Sequence, residues 1–192
     1  MEGVCVVVVD VQEEFTQIHE VISTFPAFQG RVQYLLQSAR SHGCPVVHIR
    51  AEYDKQVSPW VPWFFEISGR TYHPTLPTAV QWAKETEEEE VVIKHTFDGF
   101  LGTNLEECLR KKGVRKVFIC GLLTSACVLA TTIGAFFRGF HTFLVSDCCA
   151  DRTLEKHESV LKLYENYYFR LVDSEGFSLF LDGEHLRDNP KE

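Results

Sequence analysis

Three residues in this chain bring together side chains that could do covalent chemistry: Asp10, Lys94 and Cys127. Each lies at the end of, or just beyond, an apolar run. Asp10 follows Val4-Cys5-Val6-Val7-Val8-Val9, and Lys94 closes Glu90-Val91-Val92-Ile93. Cys127 ends Gly121-Leu122-Leu123-Thr124-Ser125-Ala126-Cys127, which follows Lys116-Val117-Phe118-Ile119-Cys120. A thiol attacks as its thiolate. A helix N-terminus and a nearby cation both stabilise that anion and can lower its pKa from about 8.5 to about 3.5–7.5. Cys127 would have the helix end and Lys94 would be the cation. Asp10 could take the thiol proton, pass it to a leaving amine and then activate water. Backbone N–H groups in the turn before Cys127 could bind a developing oxyanion. Singly, each residue has a plainer role: a turn-forming Asp, a solvated Lys, a small buried Cys among Ala126, Val128 and Leu129. Together they are the parts of a thiol hydrolase.

Such residues must be carried to one place, and the pattern of elements does that. Val4–Val9 is a continuous apolar strand of the kind buried on both faces of a parallel sheet. A helical stripe of Val32, Leu35, Leu36 and Ala39 lies within 29–42 and is closed by Gly43. Further strands are expected at 45–49, 90–93, 116–120, 141–145 and 169–172. Helices are expected from a Thr103–Glu106 capping box through Lys112, over 125–138 and over 153–166, with a short helical segment after the last strand. The acidic run Glu87 to Glu90 reads as a solvated helix end. Strand and helix alternating in this way predict one α/β domain, doubly wound, with a mainly parallel six-stranded sheet and helices on both faces. In a parallel sheet all carboxyl ends share one edge, so Asp10, Lys94 and Cys127 would meet there.

Composition narrows the possibilities. The 192 residues suffice for one compact domain, and 45% hydrophobic with 24% charged residues is a globular balance. A formal net charge of −8 argues against nucleic acid and anionic membrane as partners. The seven cysteines are an odd number with no C-x-x-C, and Met1-Glu2-Gly3 offers no basic leader, so we expect reduced thiols in the cytoplasm. Val117 to Phe137 runs twenty-one residues without a charge, but Thr124, Ser125, Thr131, Thr132, Gly121 and Gly134 interrupt it. A buried strand turning into a buried helix explains it better than a membrane span. The longest irregular region, 51–77, holds Trp60, Trp63, Phe64, Phe65 and Tyr72 among four prolines. A long aromatic loop beyond a strand's carboxyl end fits a ligand pocket, a subunit contact or both.

These motifs resemble those of the isochorismatase-like cysteine hydrolases, the superfamily of nicotinamidases, N-carbamoylsarcosine amidohydrolase, and the ureidoacrylate and biuret hydrolases. Val7-Val8-Val9-Asp10-Val11-Gln12-Glu13-Glu14-Phe15 resembles the family's opening strand with its D-x-Q and following aromatic. Lys94 to Phe100, followed by Gly102-Thr103-Asn104-Leu105, resembles its lysine motif. Gly121 to Thr131 resembles its nucleophile motif, and Ser146-Asp147 with His157 a later landmark. The likeness covers nearly the whole chain, giving a hydrolase domain over 1–182 and a polar tail over 183–192. It implies an Asp10-Lys94-Cys127 triad, a non-proline cis peptide at Leu122–Leu123, and an oxyanion hole from the N–H groups of Leu123 and Cys127.

Metal-binding nicotinamidases of this family carry an Asp-x-His after the second strand. Here that stretch reads His48-Ile49-Arg50-Ala51-Glu52-Tyr53-Asp54, and His73 alone makes no site. No metal or other cofactor is therefore expected, and nicotinamide is disfavoured as a substrate. The expected reaction is hydrolysis of a C–N bond in a small amide, carbamoyl or ureido compound through a thioester. Position places Phe15, Trp60, Trp63, Tyr72 and Phe97 around the substrate, with Arg50 or Glu52 orienting a polar end. The resemblance also implies a homo-oligomer, a dimer or larger. Two other classes stay open. One is an isochorismatase that cleaves a vinyl ether with Asp10 and no thiol nucleophile. The other is a non-catalytic member that binds a small molecule or a protein. A nucleotide-binding sheet is weaker still, since no G-x-G-x-x-G follows the first strand and no P-loop occurs.

Overall fold

In a computed structural model, which describes residues 3–17, 19–72 and 74–185, six strands form one sheet in the order β3-β2-β1-β4-β5-β6. They are β1 (Val4–Val9), β2 (Val46–Ala51), β3 (Glu90–Lys94), β4 (Lys116–Leu122), β5 (His141–Ala150) and β6 (Arg170–Val172). Every neighbouring pair is parallel. All six residues of β1 are buried, so both faces of the sheet's centre are covered, which is why that strand reads as an unbroken apolar run. The strand order reverses between β1 and β4. Open α/β sheets hold their ligands at the carboxyl edge beside such a reversal.

The helices are α1 (Glu13–Thr16), α2 (His19–Thr24), α3 (Phe28–Ser41), α4 (Val61–Ile67), α5 (Leu105–Lys111), α6 (Leu129–Phe137), α7 (Leu154–Tyr164) and α8 (Ser174–Leu181). The stripe on α3 is the one expected, and Val32, Leu35, Leu36 and Ala39 are all buried. Thr153 caps α7 by accepting from the Lys156 N–H, and Asp173 caps α8 by accepting from the Gly176 N–H.

Several local expectations change. β2 runs on through Arg50 and Ala51 because they pair with Ile93 and Lys94. The region 51–77 is not wholly irregular, since α4 forms with Pro62 in its first turn, where a missing N–H costs nothing. The expected capping box does not form: Asn104 takes the N-cap position, Thr103 Oγ1 accepts from the Leu105 N–H two residues on, and Glu106 pairs with Arg138 and Arg110. The run 87–90 is a turn into β3 rather than a helix end. Its Glu89 is nearly enclosed, accepting two bonds from Arg40 and standing 3.0 Å from His48 Nε2. The helix expected from Ser125 begins instead as a π-helical turn, Thr124–Val128, before α6. No helix among the described residues is long and apolar enough to cross a membrane. Of the expected tail, 186–192 lies outside the described residues.

Candidate active site

Asp10 is the first residue past β1, fully buried, and its N–H donates to the Ile49 carbonyl at 2.9 Å. Its φ of 53° lies in the left-handed region, which a non-glycine residue occupies at a cost of about 1–3 kcal/mol and which here turns the chain out of the sheet. Two residues on, buried Gln12 locks that turn in place. Its amide donates to the carbonyls of Ala51 (3.0 Å) and Leu76 (2.8 Å), and its Oε1 accepts from the Ala51 N–H (2.6 Å). The ends of β1 and β2 and the far side of the 51–77 segment are thereby tied together.

Lys94 closes β3 with its side chain wholly enclosed. Its Nζ lies 2.9 Å from Asp10 Oδ2 and donates to Tyr53 Oη at 2.8 Å and to the Thr96 carbonyl at 3.0 Å. The turn after it is held through the His95 carbonyl, which accepts from Ser58 Oγ (2.8 Å) and Trp60 Nε1 (3.0 Å). The Asp10 carboxylate thus pairs with Lys94 and interacts with the Cys127 thiol as well.

Cys127 arrives from β4 through a constrained turn. Gly121 has a φ of +122°, and a Cβ there would stand 1.9 Å from the Val9 carbonyl oxygen, so no side chain fits. The Leu122–Leu123 peptide is cis. The Leu123 carbonyl then accepts from both Ala126 N–H (3.0 Å) and Val128 N–H (3.2 Å), the second an i→i−5 bond that makes the turn π-helical. Asp151, buried at the end of β5, accepts from the Ser125 N–H at 2.6 Å. Thr124 Oγ1 is 2.8 Å from His157 Nδ1 on α7. The fold thus brings the side chains of Asp10, Lys94 and Cys127 together across three strand ends.

Their electrostatics reverse one expectation. Cys127 is pushed up to about 12, by burial first and by the neighbouring Asp10 second, and Lys94 offsets this only in part. Placement near a helix start beside a lysine was expected to lower it, but taking a thiolate out of water outweighs both effects. Asp10 is also raised by burial, against the pull of Lys94 and the thiol. Burial opposes charge on Lys94, but Asp10 and Cys127 more than compensate and its pKa is raised. Burial thus favours the proton on the thiol and on the carboxyl, while the neighbouring acids favour the Lys94 ammonium.

Asp10 and Cys127 line a cavity of about 430 Å³, and Lys94 is buried behind them. Phe15 and Phe97 line it as expected, joined by Phe64, Phe65, Leu122 and Leu123. The other positional expectations do not place residues on its wall. Arg50 points to Glu85, with which it pairs. The Glu52 carbonyl bonds His95 Nδ1 (2.9 Å), and Trp60 packs behind Phe97 at 4.9 Å between ring centroids. Trp63 is 64% exposed. Tyr72 stacks edge-on against Phe65 and accepts from the Lys55 N–H. Sequence reasoning missed Tyr53, Asp151 and three cations lining the cavity: Arg70, Arg152 and Lys156. Tyr53 and Asp151 each lie just past or at a strand's carboxyl end, a position that could have signalled them. The cations come from loops and a helix whose placement no local pattern gives. Asp147, from the later landmark, instead accepts from the N–H and Oγ of Ser174, binding α8 to β5. Among the described residues no three His, Cys, Asp or Glu converge to hold a metal ion; His73 lies outside them.

A family model for the isochorismatase domain matches residues 4–176, and the chain belongs to the isochorismatase family. It is an isochorismatase-family hydrolase. It is 25% identical over 165 residues to an uncharacterized isochorismatase family protein of Bacillus subtilis, covering 84% of this chain and 85% of that one. It is 35% identical over 99 residues to nicotinamidase 3 of Arabidopsis thaliana, covering 52% and 46% respectively. A crystal structure of a cysteine hydrolase from Pseudomonas syringae shares the fold, with a TM-score of 0.82 at 18% identity over 94% of this chain and 93% of the other.

Proposed function

We propose that this hydrolase cleaves a C–N bond in a small amide, carbamoyl or ureido compound bearing an anionic group, with Cys127 as nucleophile. The observation that carries the reading is the buried trio itself: Asp10 and Cys127 line the cavity, Lys94 lies behind them 2.9 Å from the Asp10 carboxylate, and burial raises the proton affinity of both Asp10 and Cys127. As Sγ attacks the substrate carbonyl, its proton passes to Asp10 and the C=O electron pair moves to oxygen. The oxyanion meets the N–H groups of Leu123 and Cys127. Asp10 gives the proton to the leaving nitrogen, the C–N bond breaks and a thioester remains. Water then loses a proton to Asp10 as it attacks, the C–S bond breaks and the thiol recovers its proton. Lys94 balances the carboxylate charge throughout.

The anionic group follows from the cavity wall. Arg70, Arg152 and Lys156 face two carboxylates there besides Asp10, and both of those are engaged: Asp151 with backbone N–H groups, Glu14 with Thr75 Oγ1. The Arg152 Nε is buried without a partner among the described residues, a donor that a ligand carboxylate would satisfy. The test is ammonia release from a panel of small amides, carbamoyl compounds and ureido acids, with Cys127→Ala run beside the native protein. Turnover should fall at least about a thousandfold in the variant. Turnover that survives would instead assign the chemistry to Asp10 and a vinyl ether substrate.

A further inference from the structure

The hydroxyl of Tyr53 stands between two members of the reacting trio. It receives a hydrogen bond from Lys94 Nζ at 2.8 Å, lies 3.4 Å from Cys127 Sγ, and has the Thr96 carbonyl oxygen at 3.3 Å. Lys94 has donors only, so the phenol oxygen is the acceptor in that bond. The phenol has a single proton to offer, and the Thr96 oxygen and the Cys127 sulfur compete for it. A neutral thiol is a weak acceptor, whereas a thiolate is a charged one that draws a shorter and stronger bond.

We infer that Tyr53 is a switching donor: as Cys127 gives up its proton, the Tyr53 O–H turns from the Thr96 carbonyl to the nascent thiolate. The bond from Lys94 polarises the phenol, so part of the ammonium's field reaches the sulfur through Tyr53. No backbone movement is needed. Tyr53 is clamped by reciprocal bonds with Thr75, N–H to O at 3.2 and 3.0 Å, and its ring packs edge-on against Trp60 and Phe97. The ionisable groups acting on it are Asp10 after β1, Glu14 on α1, Lys94 at the end of β3 and Cys127 in the π-turn. Burial, followed by the negative groups among these, raises its pKa well above the ordinary tyrosine range, so the phenol remains a proton donor. This role deepens the thiol-hydrolase reading and rests on it, because a thiolate must form for the donor to matter.

The test needs no substrate, so its failure is separable from failure of the proposed reaction. The rate of Cys127 alkylation by iodoacetamide is followed by peptide mass spectrometry from pH 6 to 10, in native protein and in Tyr53→Phe. Losing a hydrogen bond to a charged acceptor should slow alkylation about tenfold at each pH where the thiolate is the minor form. Superimposable profiles would overturn the proposal. A fluorinated tyrosine placed at position 53 guards against misfolding or altered access in the phenylalanine variant. Its more acidic phenol is a stronger donor of nearly the same shape and should speed alkylation; an unchanged or slower rate would overturn the proposal equally.

Discussion

At the residue scale, burial favours the proton on sulfur, so reactivity depends on the proton affinity of Asp10. Burial raises the Asp10 pKa while Lys94 opposes the shift. The ionised form is the base in the proposed reaction, so activity is present above that raised value and lost as pH falls through it. The acid limb of the kcat/KM profile should therefore have its midpoint above about 3.9, the unperturbed aspartate value. A midpoint at or below that value would mean that the limb reports another group. The same burial explains why a cysteine flanked by small and apolar residues gives no outward sign of its chemistry. Ala126, Val128 and Leu129 flank Cys127 in the chain as they would any inert thiol, and the difference lies in what the ends of β1 and β3 deliver beside it.

At the scale of elements, β4 lies parallel against β1 and approaches it closely at its carboxyl end. Gly121 pairs with Val9 there and leaves no room for a methyl group. Gly121→Ala should destabilise the protein by about 3–5 kcal/mol, through the steric clash and the positive φ together, read as the shift in urea unfolding. A loss under about 1 kcal/mol would show that β1 and β4 can part without consequence. The turn beyond is fixed from outside its own sequence, by Asp151 on the Ser125 N–H and by His157 on Thr124. For that reason the motif from Gly121 to Cys127 reads clearly as a nucleophile turn, while its π-helical form and its clamps do not.

At the scale of the whole molecule, the cavity does not share the negative charge excess of the chain. The formal net charge is −8, yet on the cavity wall Arg70, Arg152 and Lys156 match Asp10, Glu14 and Asp151 in number, and Lys94, buried behind the wall, pairs with Asp10. If capture of an anionic substrate is governed by the wall, raising salt from 20 to 500 mM should lower kcat/KM for a carboxylate-bearing substrate and leave a neutral analogue unchanged, since screening weakens the attraction. Arg152→Met should raise KM for the anionic substrate about tenfold, with little change for the neutral one. A salt-induced increase would mean that repulsion by the overall charge dominates.

The sequence alone determined the alternation of strand and helix, the doubly buried β1, and the delivery of Asp10, Lys94 and Cys127 to one edge. Apolar runs and helical stripes record burial directly, and a parallel sheet aligns its carboxyl ends whatever the spacing between strands. Only the tertiary structure decided the rest: the burial that raises the proton affinity of the thiol, the place of Tyr53 between Lys94 and Cys127, the clamp from Asp151 and the cations of the cavity wall. Each of these depends on desolvation or on contacts between residues tens of positions apart. Arg50 shows the limit most plainly, because its position beside the site suggested a substrate contact and its nearest opposite charge, Glu85, took it elsewhere.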